Sequence, residues 1–70
     1  MILDDLAMVR RHVARGEQTV AHQREIIARL ERAGCDTSDA TRLLLQFEDV
    51  QSLHVAHRER LEKMLSEISK

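Results

Sequence analysis

Two histidines in the C-terminal half are the residues whose type and spacing come nearest to a chemical site. His54 and His57 are three positions apart, so a helix places both on one face. Imidazole nitrogens bind zinc, nickel and copper, and a mononuclear site needs further ligands. His12 is the candidate third ligand, with Glu17 or the same pair from a second chain as alternatives. The sequence therefore contains a candidate metal site.

The same two histidines fit two other roles. Neutral rings inside a helix interface can be satisfied by water or by polar neighbours such as Gln23, Thr19 or Gln51. Protonation of both rings would bring two charges together and oppose association below about pH 6.5. A metal site, a proton sensor and a structural polar layer all remain open.

The other reactive groups do not form a catalytic arrangement. The sequence has no Gly-rich phosphate loop and no nucleophile beside a base, and Ser52 falls off the face that carries the histidines. Cys35 is the single cysteine, and we expect it to be an ordinary loop residue. We predict that the protein is not an enzyme and needs no cofactor, with zinc or nickel as the alternative.

Composition predicts long helices. The chain has 70 residues, two glycines, one phenylalanine and no proline, tyrosine or tryptophan, which disfavours a sheet. At this length one core is marginal, and a disulfide, a metal or a second subunit usually supports it. One cysteine and a start interrupted by Asp4 and Asp5 predict a reducing, cytoplasmic setting. No apolar run approaches the roughly 20 residues of a membrane span.

The charge balance disfavours nucleic acid as a partner. Eleven basic and twelve acidic residues give a formal net charge of −1, so there is no bulk attraction for a polyanion. Arg11, Arg15, Arg29 and Arg32 could still form part of a basic stripe. In size and in having two heptad arms, the chain is similar to the hairpin dimer that regulates plasmid copy number by binding RNA loops. An RNA-binding or DNA-binding hairpin dimer is therefore the second alternative.

A helix stop followed at once by a helix start lies near mid-chain. Gly34 can end a helix in the left-handed conformation, and Asp36, Thr37 and Ser38 are residues that cap a helix start. A link this short makes the two helices antiparallel neighbours. The predicted elements are helix 1 at about 3–33, a turn at 34–36 and helix 2 at about 37–69.

Apolar residues recur every seven positions in both helices, which is typical of a coiled coil. Gly16 interrupts the pattern of helix 1, and a turn near residue 35 places it opposite His57, where the missing side chain makes room for a ring. The same register sets Val13 against Leu61. The predicted interface residues are Leu6, Val9, Val13, Gly16, Val20, Ile27, Leu30, Leu43, Phe47, Val50, His54, His57, Leu61, Met64 and Ile68.

Three segments carry a resemblance to a protein family. The first segment, Leu30 to Thr37, has a leucine followed by an acidic residue, then a glycine, and ends in Asp-Thr. The second, residues 43–48, is leucine-rich, and the third, residues 53–61, is a predicted helix that contains histidines. The pattern resembles short uncharacterised helical-hairpin proteins of alphaproteobacteria over most of the chain from about residue 10. The resemblance implies a bacterial helical hairpin and no particular activity.

Additional apolar residues lie outside the predicted interface. They are Met8, Ile26, Ala33, Leu44, Leu45, Leu53, Val55 and Ala56. One hairpin cannot bury both sets, whereas a symmetric dimer that makes a four-helix bundle can. The predicted function is a small interaction or regulatory module that forms a homodimer and can engage a further protein.

Overall fold

The chain folds into two helices joined by a short turn, in a computed structural model that describes residues 1–69. Helix α1 spans Ile2–Arg32 and helix α2 spans Ser38–Ile68. The helices run antiparallel and pack along their length, giving a rod of 56 × 16 × 14 Å. Residues 1–69 contain no strand. The predicted all-helical fold with two packed helices is confirmed.

The turn begins with a glycine-based helix stop. Gly34 has a φ of +73°, the left-handed region that favours glycine. The Cys35 N–H donates to the Leu30 carbonyl at 2.9 Å, and the Gly34 N–H donates to the Glu31 carbonyl at 3.0 Å. These two bonds are the Schellman motif, which satisfies carbonyls that the end of a helix leaves free.

Helix α2 starts from a side-chain bond made just before its N-cap. The Asp36 carboxylate accepts from the Ser38 hydroxyl at 2.7 Å and from the Ser38 N–H at 2.9 Å. These bonds, the hydroxyl first, hold the pKa of the Asp36 carboxyl below its ordinary value of 3.8. The Thr41 N–H then donates to the Thr37 carbonyl at 2.8 Å, the first helical bond of α2.

The apolar core is small and comes mainly from α1. Its buried apolar side chains are Leu6, Val9, Val13 and Val20 of α1 and Leu61 of α2. Around Leu6, Val9 and Leu61, the side chains of Ile2 and Leu65 complete a cluster at the open end of the hairpin. The side of α1 that was predicted to face α2 is therefore the buried side, with Leu6, Val13 and Val20 at seven-residue spacing and Val9 beside them.

Helix α2 packs on α1 through part of the predicted interface: Leu61 is buried and Phe47 and His54 are half-buried, as predicted, but a second predicted row is exposed. We call Leu43, Val50, His57 and Met64 the outer row, and all four are exposed. Their next neighbours along the chain, Leu44, Gln51, Arg58 and Leu65, are half-buried instead, and of these Gln51 bonds to α1 and Leu65 packs on the core cluster. One residue corresponds to about 100° around a helix, so α2 is rotated away from the predicted orientation.

Polar contacts along one edge favour this rotation. Arg10 lies 3.8 Å from Glu62, and Arg24 lies 3.4 Å from Glu48. Both pairs join α1 to the same side of α2, because positions 48 and 62 are two heptads apart. Each exposed pair contributes at most about 1 kcal/mol, but together they hold the acidic edge of α2 against α1.

At the open end of the hairpin, one apolar contact differs from the predicted pairing. Leu61 packs with Leu6 and Val9, not with Val13. Val9 and Val13 are one helical turn apart, so this one apolar contact lies about a turn from its predicted place.

We predict that Gly34→Ala destabilises the hairpin through its backbone alone. An added Cβ meets no atom within 4 Å, but the left-handed conformation costs a residue with a Cβ about 1–2 kcal/mol. Urea unfolding followed by circular dichroism would measure the loss. Gly34→Asn is the matched control and should lose less, because asparagine tolerates this conformation. Equal stability of all three proteins would contradict the assignment of the turn.

We predict that Asp36→Ala destabilises the folded hairpin at neutral pH and that the difference shrinks in acid. Because the pKa of Asp36 is lowered on folding, its ionised form stabilises the protein above pH 3.8. That contribution is lost as the pH falls through the lowered value. Thermal midpoints of both proteins at neutral pH and well below pH 3.8 would test this. A pH-independent difference would rule out the carboxylate as its source.

Candidate functional site

A glycine and a glutamine interlock at the middle of the hairpin. A Cβ on Gly16 would collide with the Gln51 side-chain amide, whose Oε1 occupies that space. The Gln51 Nε2 donates to the backbone carbonyl of Val13 at 2.8 Å. Oε1 is buried and has no hydrogen-bond partner within the described residues. The missing side chain of Gly16 is what admits the amide.

This contact corrects the predicted partner of Gly16. The sequence placed His57 opposite the glycine, but His57 is exposed and belongs to the outer row. Gln51 takes the place, which gives α2 a different rotation from the one in which His57 would face Gly16. The sequence does contain a signal for this arrangement, since Gln51 shares a seven-residue row with Leu44 and Leu65.

A second buried amide lies nearer the turn. Gln23 is 6% exposed, and its Nε2 donates to the Ala40 carbonyl at 2.9 Å. A buried polar group that finds a partner avoids a desolvation cost of about 1–3 kcal/mol. The partner is backbone from α2 and not one of the histidines, so the two glutamines act as separate polar ties between the helices.

The structure pairs His54 with His12 from the other helix. Their ring centroids are 5.2 Å apart, and the ring planes make an angle of 79°. His54 is half-buried, whereas His12 and His57 are exposed. Residues 1–69 contain no group of three or more histidine, cysteine, aspartate or glutamate side chains placed to hold a metal. His12, which the sequence suggested only as a third metal ligand, is therefore the histidine whose ring lies beside that of His54.

Two grooves flank the Gly16 and Gln51 contact. The histidine groove has a volume of about 340 Å³ and is lined by His12, Arg15, Gly16, Thr19, Phe47, Val50, Gln51 and His54. The charged groove, about 350 Å³, is lined by Glu17, Val20, Ala21, Arg24, Glu48, Gln51 and Ser52. Glu17, once a candidate metal ligand, therefore lies on the opposite side of Gln51 from the histidine pair.

The outer row continues the apolar side of the histidine groove. Val50 belongs to both, and 51% of its surface is exposed. Leu43 and Met64 extend the row toward the two ends of α2, and Leu53 beside it is 71% exposed. The remaining predicted interface residues Ile27, Leu30 and Phe47 are half-buried, and Ile68 is exposed. The face beside the groove is apolar without being covered by α1.

The remaining candidate, Cys35, is a free and exposed thiol at the tip of the turn. It lies at the far end of the hairpin from the core cluster around Leu61. Neither helix, within residues 1–69, has a stretch that is long and apolar enough to cross a membrane. No protein-family model, curated protein or solved structure matches this chain.

We predict that Gly16 and Gln51 are energetically coupled. Alanine in place of a mid-helix glycine stabilises a helix by about 1 kcal/mol, but here its Cβ must displace the Gln51 amide and break the bond to Val13. Gly16→Ala should therefore gain little in the natural chain. In a Gln51→Ala background, Gly16→Ala should raise the free energy of unfolding by about 1 kcal/mol, the full gain in helix propensity.

A double-mutant cycle measured by urea unfolding tests this coupling. Ala14→Gly is a matched control, because Ala14 is exposed on the same helix and should lose only helix propensity, in both backgrounds alike. Additive effects of Gly16→Ala and Gln51→Ala would show that the two residues do not meet.

Proposed function

We propose that this chain is a small non-enzymatic interaction module that works as a homodimer. In the proposed assembly, the outer row of each hairpin packs against the same row of a second copy to form a four-helix bundle. The observation that carries the proposal is that Leu43, Val50 and Met64 of the outer row lie beside the helix interface and are not covered by it.

The surface area of the hairpin favours a partner of this size. The accessible surface is 5416 Å², whereas a compact monomer of 8.1 kDa exposes about 4,500 Å². The excess is therefore about 900 Å², close to the roughly 800 Å² that each partner buries in a standard protein interface. One second copy would bring the chain to the surface expected for a compact protein.

The small core supports the same conclusion. Five apolar side chains are buried, and a chain of this size rarely gains more than about 3–5 kcal/mol from a single core. There is no disulfide within the chain, since Cys35 is free. Burial of the outer row would add about 1.5–3 kcal/mol for each large apolar side chain that is fully covered.

A second copy also explains why the exposed row is regular. An isologous interface uses one surface patch twice, so the patch must be complementary to itself. The outer row has seven-residue spacing along α2, which an antiparallel copy can match across a two-fold axis near its middle. Such an axis would set the Leu43 end of one copy beside the Met64 end of the other.

We predict that Val50→Glu separates the dimer into monomers. A buried, unpaired carboxylate at the centre of the apolar face would oppose association by several kcal/mol, while exposure of Val50 in the hairpin leaves the fold intact. Sedimentation velocity at micromolar concentration would measure the mass. Leu45→Glu is the matched control, since Leu45 is 59% exposed and lies on the opposite side of α2 from Val50, five positions along the helix.

Two results would contradict this proposal. The first is a natural chain that sediments as a monomer at micromolar concentration. The second is a dimer that survives Val50→Glu and Met64→Glu but is lost in Leu45→Glu, because the copies would then meet through the other side of α2. In either case the hairpin structure itself would remain valid.

A further inference from the structure

We propose that His12 and His54 form a two-histidine site for one Zn²⁺, Ni²⁺ or Cu²⁺ ion that cross-links α1 and α2. Both ligands belong to one hairpin. The site therefore does not depend on the second copy, although it borders the face through which the copies are proposed to meet.

The separation of the two rings fits a shared metal. Zinc binds imidazole nitrogen at about 2.0–2.1 Å with tetrahedral angles, which places the centroids of two ligand rings about 5 Å apart. The observed centroid distance is 5.2 Å, with the planes near perpendicular at 79°. His12 and His54 sit on different helices, so helix packing has already brought them to the separation that a metal needs.

The surroundings select the class of metal. Among the residues that line the histidine groove, Arg15 is the charged side chain and no carboxylate is present. Calcium and magnesium require oxygen ligands, whereas zinc, nickel and copper accept neutral imidazole. The groove gives water access to the remaining coordination positions. We therefore expect a nitrogen-selective site with open positions.

The position of the pair gives metal binding a mechanical effect. His12 and His54 flank the Gly16 and Gln51 contact as lining residues of one groove, so a shared ion would tie the helices at mid-length. Because the pair is assembled only in the folded hairpin, metal binding stabilises the folded state by an amount that grows with the logarithm of the metal concentration above Kd. His57 is exposed and does not line the groove, so it is not part of the site.

Thermal unfolding of the tag-free full chain, with zinc, nickel or copper chloride added separately, is the test. We expect a rise of about 4–8 °C in Tm that increases with the logarithm of the metal concentration, and a stoichiometry of one ion per chain by isothermal titration calorimetry. Magnesium and calcium chloride should have no effect. Electron paramagnetic resonance of the copper form should show two coordinated imidazoles.

Histidine variants decide which residues are responsible. His12→Ala, at an exposed position that leaves the fold intact, and His54→Ala should each weaken binding more than about tenfold and abolish the Tm rise. His57→Ala and His22→Ala are matched controls and should keep it. The rise should also persist in Val50→Glu, so that failure of the homodimer and failure of the metal site are distinguishable.

Three outcomes would overturn the proposal. The first is the absence of any Tm change with all three metals. The second is loss of the rise in His57→Ala, which would assign the metal to His54 and His57 on α2. The third is a stoichiometry of one ion per two chains with a rise that depends on protein concentration, which would assign it to the contact between copies.

Discussion

The contact between Gly16 and Gln51 is the constraint on which the rest of the hairpin depends. A side-chain amide occupies the space that a Cβ at position 16 would take, and it is tied to the Val13 carbonyl. A close approach of this kind is possible at one place along α1, because Gly16 is the one glycine within that helix. It therefore sets both the rotation of α2 and its position along α1.

The rotation divides the apolar residues of α2 into two groups. Leu44 and Leu65, in the same row as Gln51, are half-buried against α1, whereas Leu43 and Met64 are exposed. Exposed apolar side chains in one continuous stripe are typical of interaction surfaces. The same rotation brings His54 toward α1 and next to His12, while His57 is left outside. The proposed dimer face and the proposed metal site thus have one structural cause.

Polar ties are unusually prominent in a core this small. Two glutamine amides donate to backbone carbonyls of the opposite helix, at Val13 and at Ala40. Each such bond contributes only about 1 kcal/mol net, but each also has a defined direction, which the aliphatic contacts of Leu6, Val9 and Leu61 lack. Apolar burial supplies the attraction between the helices, and the amides select one orientation among several of similar apolar area.

The sequence by itself determined what local physics controls. Gly34, Asp36 and the absence of proline were enough to predict two helices and a tight turn, because capping and backbone conformation depend on near neighbours. The rows of α1 that face α2 were also predictable, since one stripe of that helix is clearly more apolar. In α2, the outer row and the neighbouring row that contains Gln51 both mix apolar and polar residues. Periodicity alone therefore does not show which of the two rows faces α1. Only the tertiary structure decided that Gln51 and not His57 meets Gly16, and that His54 pairs with His12, because a long-range steric fit between the helices makes that choice.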